Sequence, residues 1–217
     1  GYSSAASDVY KRQILKNDKM RKFVCLLACG WGILGLSSCQ DTQLAEQLDG
    51  TWHTSFTQKD EDGIPYTEEE DVKFIYMKSN AKDGGKFKEK VTIGTATEYY
   101  TVNESYKIVC TISGEWEIIG GDLYMGYDLS SLDVKVKDLN CELSWNAALG
   151  ASILGIDYNN IRAEEIRKDT YREMYEYYKD SNKENDLGYC FLDLSIEDSI
   201  MSYSTADLGR LKWRRVE

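Results

Sequence analysis

The chain has 217 residues, with 37 Asp and Glu against 26 Lys and Arg and one histidine, for a formal net charge of −11. A surface with that balance repels polyanions, so a nucleic-acid partner is not expected. With no C-x-x-C pair among the six cysteines and one histidine, neither a zinc site nor a histidine-based catalytic relay can be read.

In chain order, residues 3–13 (SSAASDVYKRQ) follow neither a 3.6 nor a 2 period. They resemble the translation of a transposon-end sequencing adaptor, and residues 1–19 are set aside as adaptor-derived. Met20 then reads as a second start. Arg21 and Lys22 are basic, and Phe23 to Leu36 form an apolar run too short to cross a bilayer comfortably. Residues 20–38 therefore read as a signal peptide. The run ends in Leu36-Ser37-Ser38-Cys39. This quartet resembles a bacterial lipobox, which implies cleavage before Cys39 and acyl chains, palmitate among them, on its thiol. The sharply polar chain beyond Cys39 fits a lipid anchor, in which each buried methylene contributes roughly 0.8 kcal/mol. Gln40, not Asp, follows the cysteine. By the same resemblance the destination is an outer membrane, with the periplasmic or surface face left open.

From Cys39 the chain has 179 residues, one domain's worth. Beyond residue 39 there are 20 basic and 35 acidic residues, a formal charge of −15. Residues 39–48 read as a lipidated polar tether ending in a short turn. Strand signals then dominate. Gly50–Gln58 is the first strand, with Asp60–Gly63 as its turn and Pro65 beyond. Asp71–Lys78 follows, then a turn at Lys82–Gly85, then Lys86–Thr97. Tyr106, Ile108, Cys110 and Ile112 alternate with polar and smaller residues at period two. EWEIIGGDLYMGY is a hairpin whose Gly120-Gly121 turn needs positive φ, placing Trp116, Ile118, Leu123 and Met125 on one face. Leu132, Val134 and Val136 mark another half-buried strand.

The pattern changes after Cys141. Residues 142–155 read as a short helix or buried segment, and Asp157–Asn160 offer caps for a second helix. In that helix Tyr171, Met174, Tyr175 and Tyr178 form one stripe, expected to pack on a sheet. Alternation returns at Cys190, Leu192, Leu194 and Ile196, and a last strand runs Gly209–Val216. Cys110, Cys141 and Cys190 remain after the leader. They are expected as small buried hydrophobes, with a Cys110–Cys190 or Cys141–Cys190 bridge as the alternative.

The expected fold is mainly β: an antiparallel up-and-down barrel of about eight strands over residues 49–217, with a helical insertion at 142–187. Gly50-Thr51-Trp52 opens the first strand. It resembles the Gly-x-Trp signature of lipocalins and of the lipocalin-like lipoproteins of Bacteroides-type bacteria. That resemblance implies that Trp52 plugs one end of a barrel and that a basic residue of the last strand, Arg214 or Arg215, packs on its ring. Gly50, Trp52 and Arg214 are therefore the expected barrel-closing residues. The family's helix follows the barrel, whereas here strands follow the helical segment.

No catalytic constellation emerges. His53 reads as a structural or exposed residue, and Glu68-Glu69-Glu70-Asp71 reads as a solvated loop that binds calcium loosely at most. The chain carries no phosphate loop or dinucleotide fingerprint. No catalytic residue, cofactor site or metal site is expected. The expected role is a non-enzymatic binding or accessory module of the cell envelope, with the membrane engaged through Cys39. The candidate partners are an envelope protein or a small apolar ligand in the barrel, and a hydrolase is the outlying alternative. Bulky Tyr106, Trp116 and Met125 at inward positions favour a filled barrel over a carrier. The helical segment would cap the barrel or present a partner surface.

Overall fold

The computed structural model describes residues 37–59, 65–78, 83–98, 102–143, 148–149, 152–155, 157–183, 188–205 and 209–216. The adaptor-like stretch and the apolar leader through Leu36 lie outside the described residues, as do the turn at 60–63 and Lys82 of the turn at 82–85.

Eight strands close an antiparallel barrel in sequential order. They are β1 (Gly50–Lys59), β2 (Pro65–Tyr76), β3 (Gly84–Glu98), β4 (Val102–Ile119), β5 (Asp122–Leu143), β6 (Tyr189–Glu197), β7 (Ile200–Thr205) and β8 (Gly209–Val216). Helix α1 (Ser37–Leu48) precedes them, and helix α2 (Tyr158–Ser181) lies between β5 and β6. Closure is made where β1 pairs with β8, Trp52 opposite Arg215. Closure pairs the first strand with the last and so removes the edges where they meet, from Thr51 to His53. The expected barrel with a helical insertion is what forms.

The barrel has two dissimilar ends. At one, β1 begins, β2 ends, the Gly120-Gly121 turn joins β4 to β5, and β8 ends. This end is plugged. Both turn glycines take positive φ, 64° and 87°, as the two-residue hairpin requires. Trp52 is fully buried there, with Phe74, Trp116, Ile118, Leu123 and Met201 around it. Phe74 meets Trp116 edge-on at 5.7 Å between ring centroids. The inward face expected for Trp116, Ile118, Leu123 and Met125 is the observed one, and Tyr106 is buried too.

Residues 39–48 are not a free tether. They belong to α1, which lies across the plugged end. Asp41, Ala45 and Leu48 recur at i, i+4 and i+7 and are the buried ones among the described side chains of the helix. The Asp41 carboxylate accepts the N–H groups of Gly120 and Gly121 at 2.8 and 2.9 Å, satisfying the tip of the hairpin. Trp52 Nε1 donates to the Leu48 carbonyl at 2.8 Å. The few apolar residues in this stretch disguise the helix, because its anchoring group is a carboxylate.

The wall is uneven. β5 spans 22 residues, but β6 pairs with it only from Leu123 to Met125. Beyond that point α2 covers β5. Asp157 caps the helix, accepting the Asn160 N–H at 3.1 Å, and Ile166, Met174, Tyr178 and Ser181 form its buried stripe. Met174 and Tyr178 of the expected stripe are buried, whereas Tyr171 is exposed and Tyr175 half-buried. Just past the helix, the Asn182 side chain accepts the Tyr127 N–H at 2.8 Å and donates to the Tyr127 carbonyl at 2.7 Å. One side-chain amide thus takes the place of the strand that β5 lacks.

Several sequence expectations shift. β4 and β5 each fuse two expected strands, bent where Ser113 and Asp128 pair out of step with Thr111 and Asp133. β7 has no counterpart among the strands expected from the sequence. The alternation in β6 breaks at an irregularity between Leu192 and Ser195, where Asp193 takes φ 53°. Phe191 is consequently buried and Leu192 exposed. In 142–155, Leu149, Ile153 and Leu154 are exposed rather than buried. Cys110 is buried, Cys141 and Cys190 are half-buried, and all three are free thiols.

Candidate functional site

The barrel-closing residues come together with one correction. The Arg215 guanidinium, not that of Arg214, stacks over the Trp52 ring, 4.6 Å from its centroid. Strand parity decides this. Trp213 faces the barrel interior and is buried, so Arg215 shares its side, while Arg214 faces outward and is exposed. Arg215 also donates to the Gln47 carbonyl, tying α1 to the plug. Gly50 holds φ 132°, a conformation other residues rarely adopt, beside the Arg215 guanidinium. Cys39 lies in the first turn of α1, and its side chain is outside the described set.

The second correction defines a site that sequence reasoning missed. Glu68 to Asp71 are not a loop but the middle of β2. Parity sends Glu68 and Glu70 to the same side as the buried Val72 and Phe74, into the barrel. Glu89 joins them from β3, buried opposite Val72. Three carboxyl groups therefore occupy the lumen above the plug. Burial raises Glu68 to about 7. Glu89 also rises to about 7, mainly through burial and further through Glu68, against the opposing pull of the Tyr178 hydroxyl. Glu70 is pushed well above the usual carboxylate range by burial and then by Glu89, Glu68 and Asp71. Among the described residues no lysine or arginine pairs with any of the three.

Tyrosines form the opposite wall. Tyr178 Oη donates to Glu89 Oε1 at 2.6 Å, within the barrel. Ring contacts run from Phe87 to Tyr127 at 5.3 Å and on to Tyr178 at 4.6 Å. A second run joins Tyr189, Phe191, Tyr203 and Trp213. Burial raises the pKa of Tyr127, Tyr177 and Tyr203, and the glutamates raise each further, because all share the lumen. Neutral tyrosines and raised carboxyls make a lumen that receives a cation or a hydrogen-bonding guest more readily than an anion.

Other candidates resolve as structural. His53 Nδ1 lies 2.8 Å from Asp71 Oδ1, and Lys90 Nζ donates to Asp71 Oδ2 at 3.0 Å, all on the outer wall. Burial opposes ionisation of Asp71, but these two partners outweigh it and hold its pKa below the usual value. Burial, with Glu89 and Glu68 nearby, pushes the Cys110 thiol up to about 12, so it is a poor nucleophile. Glu104 is buried and takes both Nε and Nη2 of Arg162, at 2.9 and 3.3 Å, fastening α2 to β4. A hollow of about 400 Å³ opens beside Gly94 at the far end of β2–β4, where Lys107 and Asp138 form part of its lining. Among the described residues, no group of three or more potential ligands is placed to hold a metal ion. No helix among them is long and apolar enough to cross a membrane.

No protein-family model matches the chain, and no curated protein matches it.

Proposed function

We propose that the protein is a lipoprotein of an outer membrane, held by acyl chains on Cys39, whose barrel serves as a non-enzymatic binding or accessory module of the envelope. The observation that carries this reading is the asymmetry of the barrel. One end is filled by Trp52, its neighbours and α1, and α1 contains the lipobox cysteine. The lumen above holds Glu68, Glu70 and Glu89 without a cationic partner among the described residues. Burying carboxyl groups is costly unless something compensates them. A purely structural core gains nothing from three, whereas a lumen that accepts a polar or amine-bearing guest does. A carrier of a small apolar ligand is the second reading, favoured by the aromatic rings that line the same space.

Native mass spectrometry of the full processed chain, taken from the envelope of its own type of host, tests this. An adduct of discrete mass supports a binding module, and its chemistry separates the amine-bearing guest from the apolar one. A clean mass moves the role to protein contacts, to be sought by crosslinking in the envelope. A clean mass with no crosslinked partner overturns the proposal.

A further inference from the structure

Five large apolar side chains stand exposed at the plugged end. Ile75 and Met77 at the end of β2 are 47% and 52% exposed, and Ile119, beside the Gly120-Gly121 turn, is 42% exposed. Ile200 at the start of β7 and Val216 at the end of β8 complete the set. The register sets them round the same rim: Thr51 pairs with Val216 and Gly50 with Phe74, next to Ile75, Ile200 pairs with Arg214, and β3 stands between Met77 and the strand that carries Ile119. Leu149, Ile153, Leu154 and Ile161 are exposed elsewhere, between β5 and the start of α2, so the rim is one of two groups of exposed apolar side chains; such a group marks an interaction surface.

The charge around this rim is divided. Lys73, Lys86, Lys88 and Arg214 are exposed on the outer faces of β2, β3 and β8. The acids Glu197 and Asp198 stand at the β6–β7 turn. Glu46, paired with Lys78, and Asp49, bonded to the Tyr76 N–H, stand beside Ile75 and Met77, so the complement to anionic headgroups is confined to the lysines on the walls of β2 and β3. The acidic turn would lean away from such a surface.

The third observation is where the anchor emerges. Cys39 stands two residues before Asp41, and Asp41 is bonded to the Gly120-Gly121 turn. An α-helix rises about 1.5 Å per residue, so the backbone of residue 39 lies about 3 Å along the helix axis from Asp41. No slack chain separates it from the barrel. α1 crosses the end from that turn toward β1, placing the anchor beside Ile119 and the lysines of β2 and β3 across from it.

We propose that the plugged end is seated on the lipid surface, with Ile75, Met77, Ile119 and Val216 at headgroup depth and the lysines of β2 and β3 on lipid phosphates. The far end of the barrel, with Glu68 and Glu70 below it, then faces away from the membrane. The inference rests on the lipid anchor at Cys39 and adds an orientation and a contact surface to it.

The test is photo-crosslinking of the full chain in its own membranes. A diazirine amino acid replaces Met77, Ile119 or, beyond the end of β5, Ile153, which is 75% exposed. Lipid adducts from Met77 and Ile119, with none above background from Ile153, are the expected result. Adducts from Ile153, or from none of the three in a membrane-bound chain, overturn the seating and leave the anchor standing. Membrane fractionation with and without Cys39→Ala tests the anchor separately. A Cys39→Ala chain that still sediments removes the lipid reading, while lipid adducts from Met77 and Ile119 in that same chain retain the seating. A native chain absent from membranes overturns both.

Discussion

Arg214 and Arg215 are neighbours with opposite roles, and a single step of strand parity separates them. Arg215 lies over Trp52, whose N–H is in turn held by the Leu48 carbonyl. Trp52→Ala removes a fully buried indole and is expected to destabilise by about 3–5 kcal/mol. Arg215→Ala loses the cation–π contact, worth roughly 0.5–2 kcal/mol. Arg214→Ala changes an exposed side chain and is expected to stay within about 0.5 kcal/mol of the parent. Urea melts of the three variants check this order. Equal losses from Arg214 and Arg215, or a Trp52→Ala protein that melts like the parent, would remove the plug.

At the scale of elements, α1 is an integral lid rather than a leash. Two charge-assisted hydrogen bonds accepted by Asp41 from the Gly120 and Gly121 N–H groups hold it to the β4–β5 turn, and losing both in Asp41→Ala is expected to cost about 2 kcal/mol. The exposed Glu46 on the same helix supplies the control: Glu46→Ala should melt close to the parent, and equal midpoints for the two variants would show that α1 does not brace the barrel. The elements also show which parts of the fold the sequence made legible. The Gly120-Gly121 hairpin, the alternation in β4 and the Asp157 cap are local signals, and each marks the element that forms. α1 was hidden because its stripe is one acid, one alanine and one leucine, too little apolar surface to register as a period. Glu68 and Glu70 were hidden for the same reason within β2. Their alternation continues that of Val72 and Phe74, but inward-facing glutamates carry no hydropathy signal, so parity extended backward from Phe74 was the only clue. The Asn182 bridge to Tyr127 joins positions 55 residues apart and leaves no local trace.

For the whole molecule, the three lumen carboxyls make stability a function of pH with an unusual sign. Most carboxylates are ionised more easily in the folded state, and stability falls as acid is added. Here burial lifts Glu68 and Glu89 from the ordinary 4.5 to about 7. Between those values the folded protein holds protons that the unfolded chain has released. Stability therefore declines as pH rises through that window and stays low above it. A shift of this size is worth roughly 3 kcal/mol per carboxyl as an upper estimate. Asp71 acts in the opposite direction, its stabilising contribution being lost only as pH falls below the ordinary carboxylate range. The expected melting temperature is therefore highest near about pH 5 and falls steadily to about pH 8. Glu68→Gln with Glu89→Gln should flatten that slope, because an amide titrates in neither state. Calorimetry of the ligand-stripped chain and the double variant provides the measurement, and a parent profile that rises from pH 5 to 8 would remove the carboxyls from the lumen. A cationic guest compensates the ionised carboxyls and is bound most tightly where the empty barrel is weakest. The chain taken directly from its envelope should then keep its melting temperature at high pH and lose it on stripping, if the lumen is occupied by such a guest.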